Sequence, residues 1–473
     1  MNETLMNPVI SGEQLKLFNP HLLKSFCQNR FTFIDLFAGI GGFRIALEKL
    51  GGKCLGYSEI DRDAREVYQK NFINYVNSDE IDLGDVKQIH HLPWRIDLIV
   101  GGVPCQPWSI AGKSGGFDDP RGRLWFDVIR IVELNQPQGF IFENVKGLTD
   151  PRHQKSFSYI LESLTNSGYQ VQWKVLNSYD FGLPQDRQRV FIVGNKTLDN
   201  DRIFFDFPQP LKQKPKLYNA INHISCQEVI KTKFPPEILY GGKNKIPPAR
   251  GRFQKIDELN DFFIFADIRG GHTTIHSWDL IRTSEREKYI CEVLRKNRRS
   301  KKYGNKDGNP LSFADLLTLI PDLKLRELEK LVKKNIIHYK ERGYEFVNSK
   351  ISSGINGISK IFMPYADAIS TLTATGTKVF VSKIAIPCQT PDEYKRLFIK
   401  EVYRKRRFKS LTVKDYAQLQ GFPDYFIPHP EERTAKKQFG NAVSVPVVFH
   451  LTQSLLLVIL QNETNQSRDI SSN

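Results

Sequence analysis

At 473 residues, with 68 Lys and Arg against 52 Asp and Glu and a formal net charge of +16, the chain is long enough for one large domain plus a smaller one, and basic enough to favour a polyanionic partner. No apolar run reaches membrane-spanning length, and the opening "MNETLMNPVISGEQLKLF" lacks the basic-then-apolar plan of a signal peptide, so a soluble, cytoplasmic protein is expected. The six cysteines, at 27, 54, 105, 226, 291 and 388, form no C-x-x-C pair and no cluster with histidine, which argues against a zinc site and against a disulfide framework.

From residue 31 to 194, apolar runs such as "FTFIDLF", "CLGYSE", "DLIVGG", "GFIFENV" and "RVFIVG" alternate with amphipathic segments such as "FRIALEKL", "DAREVYQKNF" and "LWFDVIRIVELN". Strands buried on both faces and joined by crossover helices read this way, so the expected fold is α/β with a doubly wound, mostly parallel sheet. In "DLFAGIGGF" a strand ends at Phe37 and passes through Gly39, Gly41 and Gly42 into a helix, which lets a ligand approach the backbone. Arg44 stands where a dinucleotide fingerprint has its third glycine, yet Glu59 follows Gly39 by 20 residues, at the end of the second strand, where a carboxylate can take both ribose hydroxyls. An adenosine-type ligand without a pyrophosphate is implied. Asp85 in "LGDV" either accepts a hydrogen bond from an adenine amine or is a plain turn aspartate.

The stretch "DLIVGGVPCQPWS" aims a buried strand at Cys105 and stiffens the backbone on either side with Pro104 and Pro107, a frame that a nucleophile needs and a structural thiol does not. Glu143 ends the strand "FIFENV", and Arg187 and Arg189 precede or open the strand of "PQDRQRVFIVG". Each has a plain alternative, a helix-capping carboxylate and an outward-facing arginine edge. All three stand at strand ends of one sheet, the same rim as Cys105.

After Gly194 the alternation fails, and most of the basic clusters follow, including "RKNRRSKK" at 295–302 and "RKRRFK" at 404–409. The first of these is expected to track a phosphate backbone. Ser312 with Asp315 makes a capping box, Pro321 stops that helix, and Asp322 opens a second one with Leu325, Leu328, Leu331 and Val332 on one face; "IIHYKERGYEFV" then reads as a hairpin. Helix, helix and hairpin over 312–347 resemble a winged helix, the alternative being a small packing module. The expected organisation is an extension over 1–30, a catalytic and cofactor domain over 31–209, a target-recognition domain over 210–410, and a segment over 411–473 that returns to the first domain.

The motifs "DLFAGIGGF", "PCQPWS", "FENV", "QDRQR" and "QFGNAVSVPV", in this order, resemble those of the DNA cytosine-5 methyltransferases of restriction-modification systems, over 31–195 and 362–450. The resemblance implies S-adenosyl-L-methionine as cofactor, double-stranded DNA as partner, a monomer, and a cognate restriction endonuclease acting on the same site. It makes Cys105 the thiolate that adds to C6 of a flipped-out cytosine, Glu143 the carboxyl group at N3, and Arg189 the group facing the pyrimidine carbonyl with Arg187 in support. The charge of the two arginines is expected to lower the cysteine pKa. Phe37, Gly39, Gly41, Glu59, Ile60, Asp85, Pro104, Asn441 and Val443 fall to the cofactor, with Ile60 where some members carry a tryptophan. Gln106, Ser109, Asn144 and Thr371 fall to the substrate side, and the glycine-rich 109–117 stretch is the expected mobile loop. Two rivals remain, an RNA methyltransferase and a catalytically silent DNA-binding homologue. The long basic region speaks against the first, the intact Cys105, Glu143 and Arg189 against the second.

Overall fold

In chain order the alternating segments become β1 (Thr32–Leu36), α1 (Gly42–Glu48), β2 (Lys53–Ser58), α2 (Arg62–Phe72), β3 (Ile81–Asp82), β4 (Leu98–Gly102), α3 (Leu124–Asn135), β5 (Gly139–Val145), α4 (Gln154–Asn166), β6 (Tyr169–Asn177), β7 (Gln185–Asp186) and β8 (Gln188–Lys196). The structure, a computed structural model, describes residues 31–73, 80–108, 115–196, 205–221, 261–306, 308–374 and 379–471. Seven strands form one sheet in the order β3-β2-β1-β4-β5-β8-β6. Strands β1 to β5 run parallel, while β8 is antiparallel to both β5 and β6. The link from β6 to β8 carries no crossover helix, and a connection that short returns a strand only in the antiparallel sense. Strand order reverses between β1 and β4, so the loops leaving these two strands open a crevice at the switch point. Beneath it Ile34, Leu36, Ile99, Phe140, Phe142 and Val190 are fully buried between the helical layers.

Two units are resolved by contact density, and the second spans Pro215–Ile369 and Gly376–Asp415. Its elements are β9 (Phe262–Phe265), β10 (Thr274–Ile275), α5 (Glu285–Asn297), α6 (Phe313–Leu319), α7 (Leu325–Lys333), β11 (Ile337–Lys340), β12 (Gly343–Phe346) and β13 (Lys360–Phe362), then β14 (Ile369–Ser370) at the unit boundary, β15 (Val379–Ser382) and β16 (Phe408–Ser410). Five of the strands make a sheet, β10-β9-β13-β15-β16. The helices α5 to α7 with the β11–β12 hairpin build a separate core of Ile290, Cys291, Leu294, Leu316, Leu328, Leu331 and Phe346. Leu311, just before α6, bridges to Tyr344 of β12 and adds a third, one-residue strand to the hairpin. Reciprocal capping boxes start α5 at Ser284 with Glu287 and α6 at Ser312 with Asp315.

Three expectations for this region are corrected. Lys324, not Asp322, precedes the first turn of α7, because the Glu327 carboxylate accepts from Lys324 N at 2.9 Å and starts the helix there. Leu325 and Val332 are 47% and 39% exposed, since a helix starting there turns Leu328 and Leu331 to the core and leaves those two at the edge of the apolar stripe. Arg298, in the run expected to follow phosphates, is buried and pairs with Glu345 at 2.8 Å. Its long side chain crosses the core to β12, so it is spent on the fold. Arg298→Ala should strand the Glu345 carboxylate and lower the stability of this unit by about 3–5 kcal/mol, read as an earlier thermal unfolding transition. An unchanged transition would show that the pair contributes nothing.

The first unit takes in the chain up to Lys214, residues 370–375, and everything from Tyr416, where α8 (Glu432–Asn441) and α9 (Val445–Ser471) follow. Within Glu432–Gln461 lies an apolar stretch long enough, by length and composition, to cross a membrane. This corrects the expectation that no run is. Val448, Leu451 and Leu455 on it are fully buried, and a Cβ on Gly139 of β5 would sit 3.2 Å from Leu455, so the helix packs as a core element against the sheet.

Candidate active site

Cys105 lies three residues beyond β4, and Gly102, the last residue of that strand, pairs in register with Glu143 of β5. On the other side of β5, Glu143 faces Phe191 and Val145 faces Arg189 of β8. Side chains two apart along a strand share a face, so Glu143 and Arg189 are diagonal neighbours on the face that carries Cys105. They form an ion pair, Arg189 Nε to Glu143 Oε1, at 3.0 Å. Burial pushes the Glu143 carboxyl pKa up, with Arg189 and then Arg187 pulling against it. Cys105 feels all three groups: burial and then Glu143 raise its pKa, while Arg189 and Arg187 lower it, and the net shift is upward. The two arginines do pull the thiol pKa down, as expected, but they do not win. Desolvation of a thiolate in this crevice, added to a carboxylate neighbour, outweighs two guanidinium groups.

Asn144 is turned away from that face. Its amide donates to Val103 O at 3.2 Å, tying β5 to the loop that leads to Cys105. Pro104 is half-buried and Gln106 exposed beside it. Ser109 and the 109–114 part of the expected mobile loop lie outside the described residues.

The glycine loop lies at the end of β1. Phe37, Gly39 and Gly41 all have left-handed φ, of 56°, 58° and 87°. For phenylalanine that conformation is strained by roughly 1–2 kcal/mol, and it turns the backbone sharply at the switch point. Gly41 is required by contact as well, since a Cβ there would lie 2.2 Å from the Phe72 ring. Glu59 accepts from Gly39 N at 2.8 Å through one oxygen and from Asp61 N at 2.7 Å through the other. Ile60 beside it is 71% exposed. Asp85 accepts from Lys87 N at 3.0 Å and so caps a short turn, with the rest of its carboxylate open. Arg44 points away from the loop into a buried cluster, bonding Glu80 at 2.7 Å, Glu48 at 2.8 Å and Tyr68 at 3.1 Å. The residue that replaces the third glycine thus serves the packing of α1.

Sequence reasoning missed how the return segment is held. Arg187, fully buried, donates to Leu372 O and Gly440 O at 3.1 Å each and to Ala442 O at 2.8 Å. Burial and the nearby Arg189 push its pKa down to about 9, which leaves it cationic at neutral pH. Gln185 accepts from Leu372 N at 2.9 Å and donates to Leu419 O at 2.8 Å, and Thr371 donates its hydroxyl to Asp186 O at 2.6 Å. Gln420 donates to Phe439 O at 2.7 Å. This clasp fixes Val443 over both strand-end loops: a Cβ on Gly42 would lie 2.8 Å from it and one on Gly102 3.8 Å. Asn441, at the end of α8, is exposed. The only sequence signal for the clasp was the polar run "PQDRQR" itself, since its partners are main-chain carbonyls more than 180 residues away.

The profile of the C-5 cytosine-specific DNA methylase family matches residues 31–456. The Type II methylase M.HgiEI of Herpetosiphon aurantiacus is 46% identical over 441 residues, covering 91% of this chain and 98% of its own. The Type II methyltransferase M.HgiBI of the same organism is 45% identical over 441 residues, with the same coverage, and M.NlaIV of Neisseria lactamica is 33% identical over 471 residues, covering 90% of this chain and 99% of its own. Matched in this way along nearly its whole length, the chain belongs to the C-5 cytosine-specific DNA methylase family, as a DNA methyltransferase of the restriction-modification type.

Proposed function

We propose that the protein transfers a methyl group from S-adenosyl-L-methionine to C5 of a cytosine flipped out of a specific duplex DNA sequence, through a covalent bond between Cys105 and C6. The observation that carries this reading is the convergence of a proline-framed thiol, a buried carboxyl group and a guanidinium group at the switch point. Methylation in the cytoplasm protects host DNA from a cognate endonuclease cutting the same site.

The cofactor end fits. Gly39 and Gly41 leave the loop free of side chains, and each Glu59 oxygen takes one backbone N–H and keeps a lone pair for a ribose hydroxyl. Arg44 is bound to Glu80 and so is not held ready for a pyrophosphate. Phe37, the exposed Ile60, Asp85 and Pro104 would hold the adenosine, and Asn441 with Val443 would hold the methionine end. When bound, the cofactor supplies an electrophilic methyl group that no side chain provides.

C5 of cytosine is a poor nucleophile until a thiolate adds at C6 and turns it into an enamine-like carbon. The base must leave the duplex for this addition to reach its face. Cys105 rests as a thiol. As the sulfur adds, the thiol proton leaves to water and a protonated Glu143 gives its proton to N3, so the ring stays neutral and the negative charge ends on the Glu143 carboxylate, where Arg189 pairs with it and Arg187 lends support. Arg189 also faces the pyrimidine carbonyl, and Gln106, Ser109 and Thr371 lie on the substrate side. After transfer, water removes the C5 proton, N3 returns its proton to Glu143, and expulsion of Cys105 restores the aromatic ring.

A tritium-transfer assay on duplex DNA and on tRNA tests this reading, and label in tRNA alone would overturn it. Bisulfite sequencing of a plasmid from an expressing host then places the methylated cytosines. Glu59→Ala should weaken cofactor binding by about 1.5–3 kcal/mol in calorimetry, the worth of a charge-assisted hydrogen bond, and leave DNA binding without cofactor little changed. Undiminished affinity would remove Glu59 from the ribose.

A further inference from the structure

Helices α5, α6 and α7, the Leu311 bridge before α6, and the β11–β12 hairpin follow one another as helix, short strand, helix, helix, strand, turn, strand. That is the complete chain order of a winged helix, in which the third helix enters the major groove and the hairpin turn grips the backbone beside it. Resting on the reading of the protein as a DNA methyltransferase, we propose that this module is its sequence reader: the outward face of α7 reads base edges, and the turn at Glu341 and Arg342 holds the phosphates.

The face of α7 opposite its buried Leu328 and Leu331 carries Arg326, Glu329 and Lys333, all exposed, with the partly exposed Leu325 and Val332 flanking it at the edge of the apolar stripe. An exposed face with an arginine and a carboxylate, flanked by two aliphatic side chains, suits a major groove. Arginine pairs with guanine O6 and N7, a carboxylate accepts from the cytosine amine, and aliphatic groups meet the thymine methyl.

Residues 285–347 hold 16 basic against 10 acidic residues. Several of the basic groups serve internal ion pairs: Arg286 with Glu327, Arg295 with Glu292, Arg298 with Glu345, Lys306 with Glu341 and Lys334 with Glu287. Among the described residues, Arg326, Lys330 and Lys333 of α7 and Lys340 and Arg342 of the hairpin form no ion pair; Lys296, Lys301, Lys302 and Lys324 form none either, so α7 and the turn carry part of a wider unneutralised surface that would meet DNA. The turn adds its own observation. Glu341 and Arg342 have φ of 51° and 79°, a pair of left-handed residues that a two-residue hairpin ordinarily fills with Asn and Gly. Glu341 is drawn to Lys306 at 2.5 Å, which leaves Arg342 at the tip.

The test selects bound duplexes from a random-sequence pool by filter retention with the full-length chain, and repeats the selection with two variants that keep the wild-type circular dichroism. Arg326→Ala with Glu329→Ala should reduce discrimination between the preferred duplex and its single-base variants about ten- to hundredfold. Lys340→Ala with Arg342→Ala should weaken all duplexes alike and flatten the salt dependence by up to about two units. An unaltered base preference in the α7 variant, or no preferred duplex with the wild type, overturns the proposal. A wild type that selects a duplex through α7 yet methylates none overturns the methyltransferase reading and leaves the reader standing.

Discussion

Cys105→Ser should abolish methyl transfer, by on the order of 10⁴-fold or more, while cofactor binding stays nearly intact. The cause is the same burial that holds even the native thiol above its usual pKa: an alcohol starts several units higher and has no accessible anion in this crevice. DNA containing 5-fluorocytosine should trap the wild type covalently, because fluorine at C5 leaves no proton to remove and blocks the elimination that frees the sulfur. The serine variant should not be trapped. Equal trapping of both proteins would falsify the assignment of Cys105 as nucleophile.

Glu143→Gln should lower turnover by about 10²–10⁴-fold, since an amide can hydrogen-bond to the base yet has no proton to give N3. A second readout runs the opposite way. The Glu143 carboxylate raises the Cys105 pKa, and removing that charge leaves Arg189 and Arg187 to lower it, so at fixed pH a larger share of the sulfur is thiolate. In the wild type, iodoacetamide alkylation should climb with pH and level off only above the usual thiol range. In the variant the rise should come at lower pH, making the less active enzyme the more readily alkylated one. Slower or unchanged alkylation would mean that Glu143 acts only through the packing of β5.

Local pattern determined a good deal of this protein. Apolar runs alternating with amphipathic ones specify strands buried on both faces and their crossover helices, and glycines, prolines and charged residues at the strand ends mark one rim, because every parallel strand delivers its C-terminal residue to the same edge. Cys105 and Glu143 could therefore be nominated from text alone, whereas Arg189, which opens its strand, reaches the same rim only because β8 runs antiparallel; the capping box at Ser312 needed only a window of four residues.

What depended on distance in the chain was decided by the tertiary structure. Arg187 reads like Arg189 in sequence, but main-chain carbonyls brought in from residues 372, 440 and 442 make it a clasp. Arg298 reads like its basic neighbours, but Glu345, 47 residues on, takes it into the core. The pKa of Cys105 followed the same rule. Charge can be counted in a sequence, whereas desolvation depends on what the rest of the chain folds around the group, and in this crevice desolvation is the larger effect.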